Sequence, residues 1–147
     1  MGTNALLQAN NAISPLRPGQ MAATSKGVPP VYISIVEIDL PAGTDCVALK
    51  DAFKTTAPRY VDIPGLLRKY YTLQDGTMTG GVFVWDTLEN AKAGHANPGW
   101  RKIIADRYGN EPRVSYYEVP TIVDNVIGAV LQDEEYLRAC AKERKLA

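Results

Sequence analysis

Between Val31 and Leu40 the chain reads VYISIVEIDL, a run dense in β-branched residues that stops at Pro41-Ala42-Gly43 and predicts a strand. Thr44 or Asp45 can then cap a helix in which Leu49, Phe53 and Ala57 recur on one face, before Pro58 ends it. Ile63-Pro64-Gly65 leads into LLRKYYTL, and after QDGTMT the chain returns as GGVFVWD. Asp75-Gly76 between those two runs signals an antiparallel hairpin. Asp86 and Glu89 have the spacing of a capping box, so a second helix is expected where the third strand stops. Asn97-Pro98 resets that helix with Asn97 as cap, and Trp100, Ile103, Ile104 and Tyr108 then form an apolar stripe ended by Gly109-Asn110. RVSYYEVP reads as the last strand.

The order strand, helix, strand, strand, helix, strand predicts an α+β fold of the ferredoxin-like βαββαβ kind, an antiparallel sheet carrying its helices on one face. In that topology the first and third strands are central, yet both VYISIVEI and GGVFVWD are apolar on both sides. The uncovered side would expose Tyr32, Val36 and Ile38, or their odd-numbered neighbours. Each large apolar side chain left in water forgoes roughly 1.5–3 kcal/mol. Pairing with a second copy, sheet against sheet, removes that loss, so a homodimer is expected.

Outside residues 31–125 the pattern weakens. Residues 1–30, rich in Ala, Asn, Gln, Ser and Pro, read as an extended arm that lies on a partner or moves in solution. After the last strand TIVDNVIGAVL runs on with little charge from Thr121 into a tail at residues 126–147, to clasp the partner or cover an edge strand. DEEYLRACAKERKLA reads as a short helix capped by Asp133, with Glu134 and Arg138 at pairing distance.

Composition narrows the function classes. A chain of 147 residues, 46% hydrophobic, is expected to hold one globular domain with peripheral arms. The formal net charge is zero and basic runs are missing, which argues against nucleic acid and membrane surfaces as partners. Cys46 and Cys140 lie far apart without metal-ligand spacing, and a single histidine argues against a metal site, so reduced thiols in the cytoplasm are expected. The first residues lack the order of a signal peptide, so export is not expected. Gly80-Gly81 enters a strand without phosphate-loop spacing and suggests a bulge or a close backbone approach.

The stretch Pro64-Gly65-Leu66-Leu67-Arg68-Lys69-Tyr70-Tyr71-Thr72, followed by Gly80-Gly81-Val82-Phe83-Val84-Trp85 and the helix at Ala91, resembles the YdhR-like monooxygenase family of the dimeric α+β barrel superfamily. That family is related to the antibiotic biosynthesis monooxygenases, and the similarity spans about Val31 to Asn125. The resemblance implies a dimer of ferredoxin-like subunits with a small pocket between each sheet and its own helices. It also implies a cofactor-independent monooxygenase for a small aromatic or quinol-type compound. An oxygen-independent lyase or cyclase in the same pocket, or a non-catalytic dimeric small-ligand-binding or stress protein, are the alternatives.

Oxygenation without a cofactor needs aromatic walls, a base, and a cation or hydrogen-bond donor for the resulting anion. His95 is the candidate base, because imidazole titrates near neutral pH. Its place before Pro98 and Trp100 is similar to that of the second-helix histidine in the antibiotic biosynthesis monooxygenases. The plain alternative is a partly exposed histidine at a helix C-terminus. Lys69, matching the lysine of the family's PGLxxK motif, and Tyr71 on the same face are candidate anion stabilisers. The plain alternative for Lys69 is a solvated guard on an edge strand; Arg68 faces the opposite way by alternation, so one of the two meets the helices and the other the dimer side. Trp85, Phe83 and Trp100 are candidate pocket walls, with a core role as the alternative for both tryptophans.

Overall fold

The computed structural model describes residues 31–132 together with Arg138 and Lys142. The arm at 1–30 and the caps and pairs expected of the terminal helix lie outside the described residues. Strand β1 (Val31–Asp39) is followed by helix α1 (Cys46–Thr56) and a 3-10 turn (Ala57–Tyr60). Strands β2 (Leu66–Gln74) and β3 (Met78–Trp85), helices α2 (Leu88–Ala96) and α3 (Pro98–Tyr108), and strand β4 (Arg113–Val119) complete the core pattern. A hairpin of β5 (Thr121–Asp124) and β6 (Ala129–Gln132) comes next. The main sheet is antiparallel in the order β2-β3-β1-β4, which is the ferredoxin-like arrangement with the first and third strands central.

Local chemistry sets the element ends. Asp45, not Thr44, caps α1, its carboxylate accepting from the amides of Val47 and Ala48. Asp75 (φ 44°) and Gly76 (φ 69°) are the central residues of the turn between β2 and β3, which the Thr77 amide closes by donating to the Gln74 carbonyl at 2.8 Å. The capping box expected at Asp86 and Glu89 is displaced by one residue. Thr87 has the extended backbone of a cap and its hydroxyl accepts from the Asn90 amide at 3.0 Å, while the Asp86 carboxylate accepts from the Asn90 side chain at 2.8 Å. Asn97 ends α2 and caps α3, and Gly109 (φ 72°) closes α3 in the left-handed region.

Two-residue alternation sorts the side chains of the sheet. Val36 and Ile38 of β1 and Phe83 and Trp85 of β3 face the helices and join Leu49, Ala91 and Tyr108 in one buried cluster. Ile33, Ile35, Val82 and Val84 occupy the other face, so of the two options for β1 it is the odd-numbered residues that turn away from the helices. The β5–β6 hairpin covers one end of that face, where Leu131, Ile122 and Ala129 pack with Val31, Leu67, Val84 and Val119. The divide expected at Asn125 falls in the turn of this hairpin, where the Asp124 carboxylate accepts from the amides of Val126 and Ile127.

The close approach suggested for the glycine pair is real at Gly80. This residue has φ 151°, and a side chain there would collide with the Val36 carbonyl of the neighbouring strand. The bulge lies elsewhere, in β2 between Leu66 and Arg68. Gly80→Ala is expected to lower stability by about 2–3 kcal/mol in denaturant titration, since both strain and backbone collision oppose it. Gly109→Ala, with open space around the position, should cost only about 1–2 kcal/mol.

Candidate active site

The bulge after Leu66 sets the register of β2 so that Lys69 opposes Phe83 and Tyr71 opposes Gly81, putting both side chains on the helix face. Arg68 and Tyr70 turn to the other side. Above them a cavity of about 390 Å³ separates the sheet from the helices. Val36, Ile38, Lys69, Tyr71 and Phe83 form its floor, Phe53 and Tyr60 one wall, and Trp100, Ile104 and Tyr108 of α3 the other. Arg59 and Arg107, both exposed, stand at its mouth.

Lys69 is the chemically distinctive group of that floor. Its Nζ lies 3.1 Å from the ring centroid of Tyr60, 3.8 Å from that of Tyr71 and 4.9 Å from that of Phe83. Ring faces favour the ammonium, by about 0.5–2 kcal/mol per contact. Burial works against the charge, with no carboxylate partner among the described residues, and pulls the Lys69 pKa down to about 7. The amine and the ammonium are therefore both accessible near neutral pH. Tyr71 shares its hydroxyl with Thr56 at 3.0 Å, and the Tyr60 hydroxyl accepts from Trp100 Nε1 at 3.2 Å. Burial raises the pKa of both tyrosines, opposed first by the hydrogen bonds with Trp100 on Tyr60 and Thr56 on Tyr71, and less by the charge of Arg107 on both and of Arg59 on Tyr71.

His95 sits elsewhere, one layer behind the cavity wall. It is 2% exposed, in contrast to the partly exposed histidine that a helix C-terminus suggested, and neither it nor Trp85 is among the residues lining the cavity. The two are joined by Ser34: Trp85 Nε1 donates to the Ser34 hydroxyl at 2.9 Å, and that hydroxyl lies 2.6 Å from His95 Nε2. The imidazole is boxed by Phe83, Trp85 and Trp100 with ring centroids 4.8, 5.7 and 4.9 Å away. Its Nδ1 is buried without a hydrogen-bond partner among the described residues. Burial first, then the charges of Arg101 and Lys69, lower the His95 pKa to about 4, so it is neutral at physiological pH.

Of the sequence-derived candidates, the cavity therefore collects Lys69, Tyr71, Phe83 and Trp100, while Trp85 and His95 back the wall. Trp85 stacks almost parallel to Phe83 at 6.1 Å, and Gly94 of α2 leaves room for its ring. Tyr60, Arg59 and Arg107 could not be picked out from the sequence because a short 3-10 turn and a polar helix flank carry no periodic signal. Ser34 did leave one: it is a lone hydroxyl in the middle of an apolar strand, 0% exposed, and such a group needs a partner.

No family model and no curated protein matches the chain. Among solved structures, a protein of unknown function from Nitrosomonas europaea is similar in fold, with a TM-score of 0.51 at 14% identity over 63% of this chain and 92% of the other. A monooxygenase from Streptomyces coelicolor, solved with nanaomycin D, has a TM-score of 0.49 at 14% identity, covering 61% of this chain and 88% of that one. SnoaB, a cofactor-independent oxygenase from Streptomyces nogalater, has 0.49 at 12% identity over 65% and 98%. At 14% identity the likeness to the Nitrosomonas protein is one of fold alone, and the ferredoxin-like α+β class rests on this chain's own strand order, β2-β3-β1-β4. Among the described residues no helix is long and apolar enough to cross a membrane, and no cluster of three or more His, Cys, Asp or Glu could hold a metal ion.

The lowered pKa values have a signed consequence. Between about pH 4 and the ordinary histidine value of 6.5, the unfolded chain binds a proton at His95 that the folded one does not, so stability falls on acidification through that window. Denaturant titrations across it should show a slope that His95→Gln flattens. For Lys69 the window runs from about 7 to 10.5, and stability rises with pH through it. Lys69→Met should accordingly be more stable than the wild type at pH 7, by on the order of 1–3 kcal/mol, with the gain shrinking towards pH 10.5.

Proposed function

We propose that the cavity binds a small phenolic or quinol-type aromatic and that the protein oxidises it with molecular oxygen without a cofactor. The observation that carries this reading is Lys69, an amine of pKa about 7 enclosed by aromatic rings on the cavity floor. As the free amine it takes the phenolic proton, and as the resulting ammonium it stays beside the phenolate it has made. One residue supplies both base and counter-charge. Tyr71 adds a hydroxyl donor, and Phe83 and Trp100 hold the ring. The electron-rich anion is then oxidised: one oxygen atom enters the ring as a quinone carbonyl, while the other leaves as water with the phenolic and ring hydrogens. Base duty passes in this proposal from His95 to Lys69, because the imidazole is sealed behind Phe83 and Trp100. His95, Ser34 and Trp85 position that wall.

Ligand binding without turnover is the second reading, favoured by one observation: no carboxylate or histidine is among the described lining residues, so Lys69 would be the single base. Oxygen uptake with a panel of phenols and hydroquinones separates the two. The oxygenase reading predicts uptake whose kcat/KM rises with pH through about 7, following the free amine. Lys69→Arg, which keeps a cation and loses the base, should reduce it about 100-fold. Uptake indifferent to that change would sink the assignment, and turnover under anaerobic conditions would move the cavity to lyase or cyclase chemistry.

We also infer a homodimer through the sheet face that the helices leave open. Ile33, Ile35, Val82 and Val84 lie there, flanked by Tyr70 and Tyr117, which are 53% and 51% exposed. The β5–β6 hairpin covers one end of that face and leaves the rest for a second copy. Ile35→Asp should convert a dimer to monomers in analytical ultracentrifugation. A wild type that sediments as a monomer at micromolar concentration would overturn this.

A further inference from the structure

We infer that the aromatic ligand carries an ionised acid group, a carboxylate, which Arg59 and Arg107 bind at the cavity mouth while the ring occupies the space over Lys69. This rests on the reading of the cavity as an aromatic site and adds the charge of its ligand.

The protein is neutral overall, with 16 basic and 16 acidic side chains. Its cavity is not. Arg59, Lys69 and Arg107 line it, with no Asp or Glu among the described lining residues. Several basic side chains elsewhere pair with acids, Lys54 with Asp51, Lys102 with Asp106, Arg101 with Glu111 and Arg113 with Asp39. The cavity's cations have no carboxylate partner among the described residues. Cations without acids beside them offer an anion a complementary site.

The guanidinium charges are also felt within the cavity. The Arg107 charge acts on the hydroxyls of Tyr60 and Tyr71, and that of Arg59 on Tyr71, in each case favouring the phenolate. Both tyrosines line the cavity, so the field of the mouth reaches its walls. The site is polarised: rings and aliphatic side chains inside, two exposed arginines outside. A flat ring with a carboxylate at one end matches that gradient ring-first, its acid turned to the guanidinium forks, which suit a planar carboxylate better than an ammonium does. A neutral aromatic would leave the arginines unanswered.

The test is calorimetric binding of 4-hydroxybenzoate and of its methyl ester, which has the same ring and phenol without the charge. The acid should bind at least about tenfold more tightly at low salt. The preference should shrink in about 0.5 M sodium chloride, where exposed charges are screened. It should also vanish in the Arg59→Gln, Arg107→Gln double variant, whose affinity for the ester stays that of the wild type. Equal binding of acid and ester, or a preference that survives the double substitution, would overturn the proposal while leaving the aromatic cavity intact. Failure of both compounds to bind would remove the proposal together with the aromatic-site reading. Binding with the expected preference but no oxygen uptake would sustain the anion site and refute the oxygenase alone.

Discussion

A single buried hydroxyl ties the layers of this protein together. Ser34 sits on the central strand β1, accepts from the Trp85 indole on β3 and contacts the His95 imidazole on α2. A hydroxyl buried without partners costs roughly 1–3 kcal/mol, so the contact is strongly selective for this relative placement of sheet and helix. Its consequence is geometric. With Trp85 and His95 fixed, Phe83 packs against a stacked indole and a perpendicular imidazole, and Trp100 packs against the same imidazole. The aromatic wall of the cavity is thus set from behind.

The same layer explains why the cavity exists at all. Large rings packed around His95 fill the end of the sheet–helix interface beneath α2, and the short 3-10 turn carries Tyr60 over the other end. Between them the sheet presents Lys69, whose side chain lies under rings and away from acids. Burial of an amine is unfavourable, and a core filled with a methionine-sized apolar side chain would be more stable. Stability is spent on a group that can titrate near neutrality, the usual mark of a functional position.

Charge adds a second asymmetry. Lys54, Lys102 and Arg113 find acids nearby on the surface, whereas Arg59, Lys69 and Arg107 line a cavity that has no acid among its described lining residues. In the proposed complex the interior apolar surface and the cationic mouth would act on different parts of one ligand: burial of the ring would supply the non-directional attraction, and the guanidinium groups the orientation.

Much of this fold was determined by local pattern alone. The strand-favouring apolar runs VYISIVEI and GGVFVWD, the Asp75-Gly76 turn, the Asn97-Pro98 restart and the Gly109 stop are short-range signals, and each element they imply is present. Where two neighbouring residues competed, as Thr44 with Asp45 or Asp86 with Thr87, backbone conformation chose, and that depends on how the chain enters the helix. The site was legible only in part. Lys69 and Tyr71 share a face by alternation, but which face meets the helices depends on a bulge between Leu66 and Arg68 that no residue pattern announced. His95 could be named as a titratable group, yet whether it met the cavity or the core depended on Ser34, 61 positions away. Strand period and turn chemistry are written in adjacent residues, whereas burial, which moves Lys69 and His95 from their ordinary pKa values, is a property of everything packed around them.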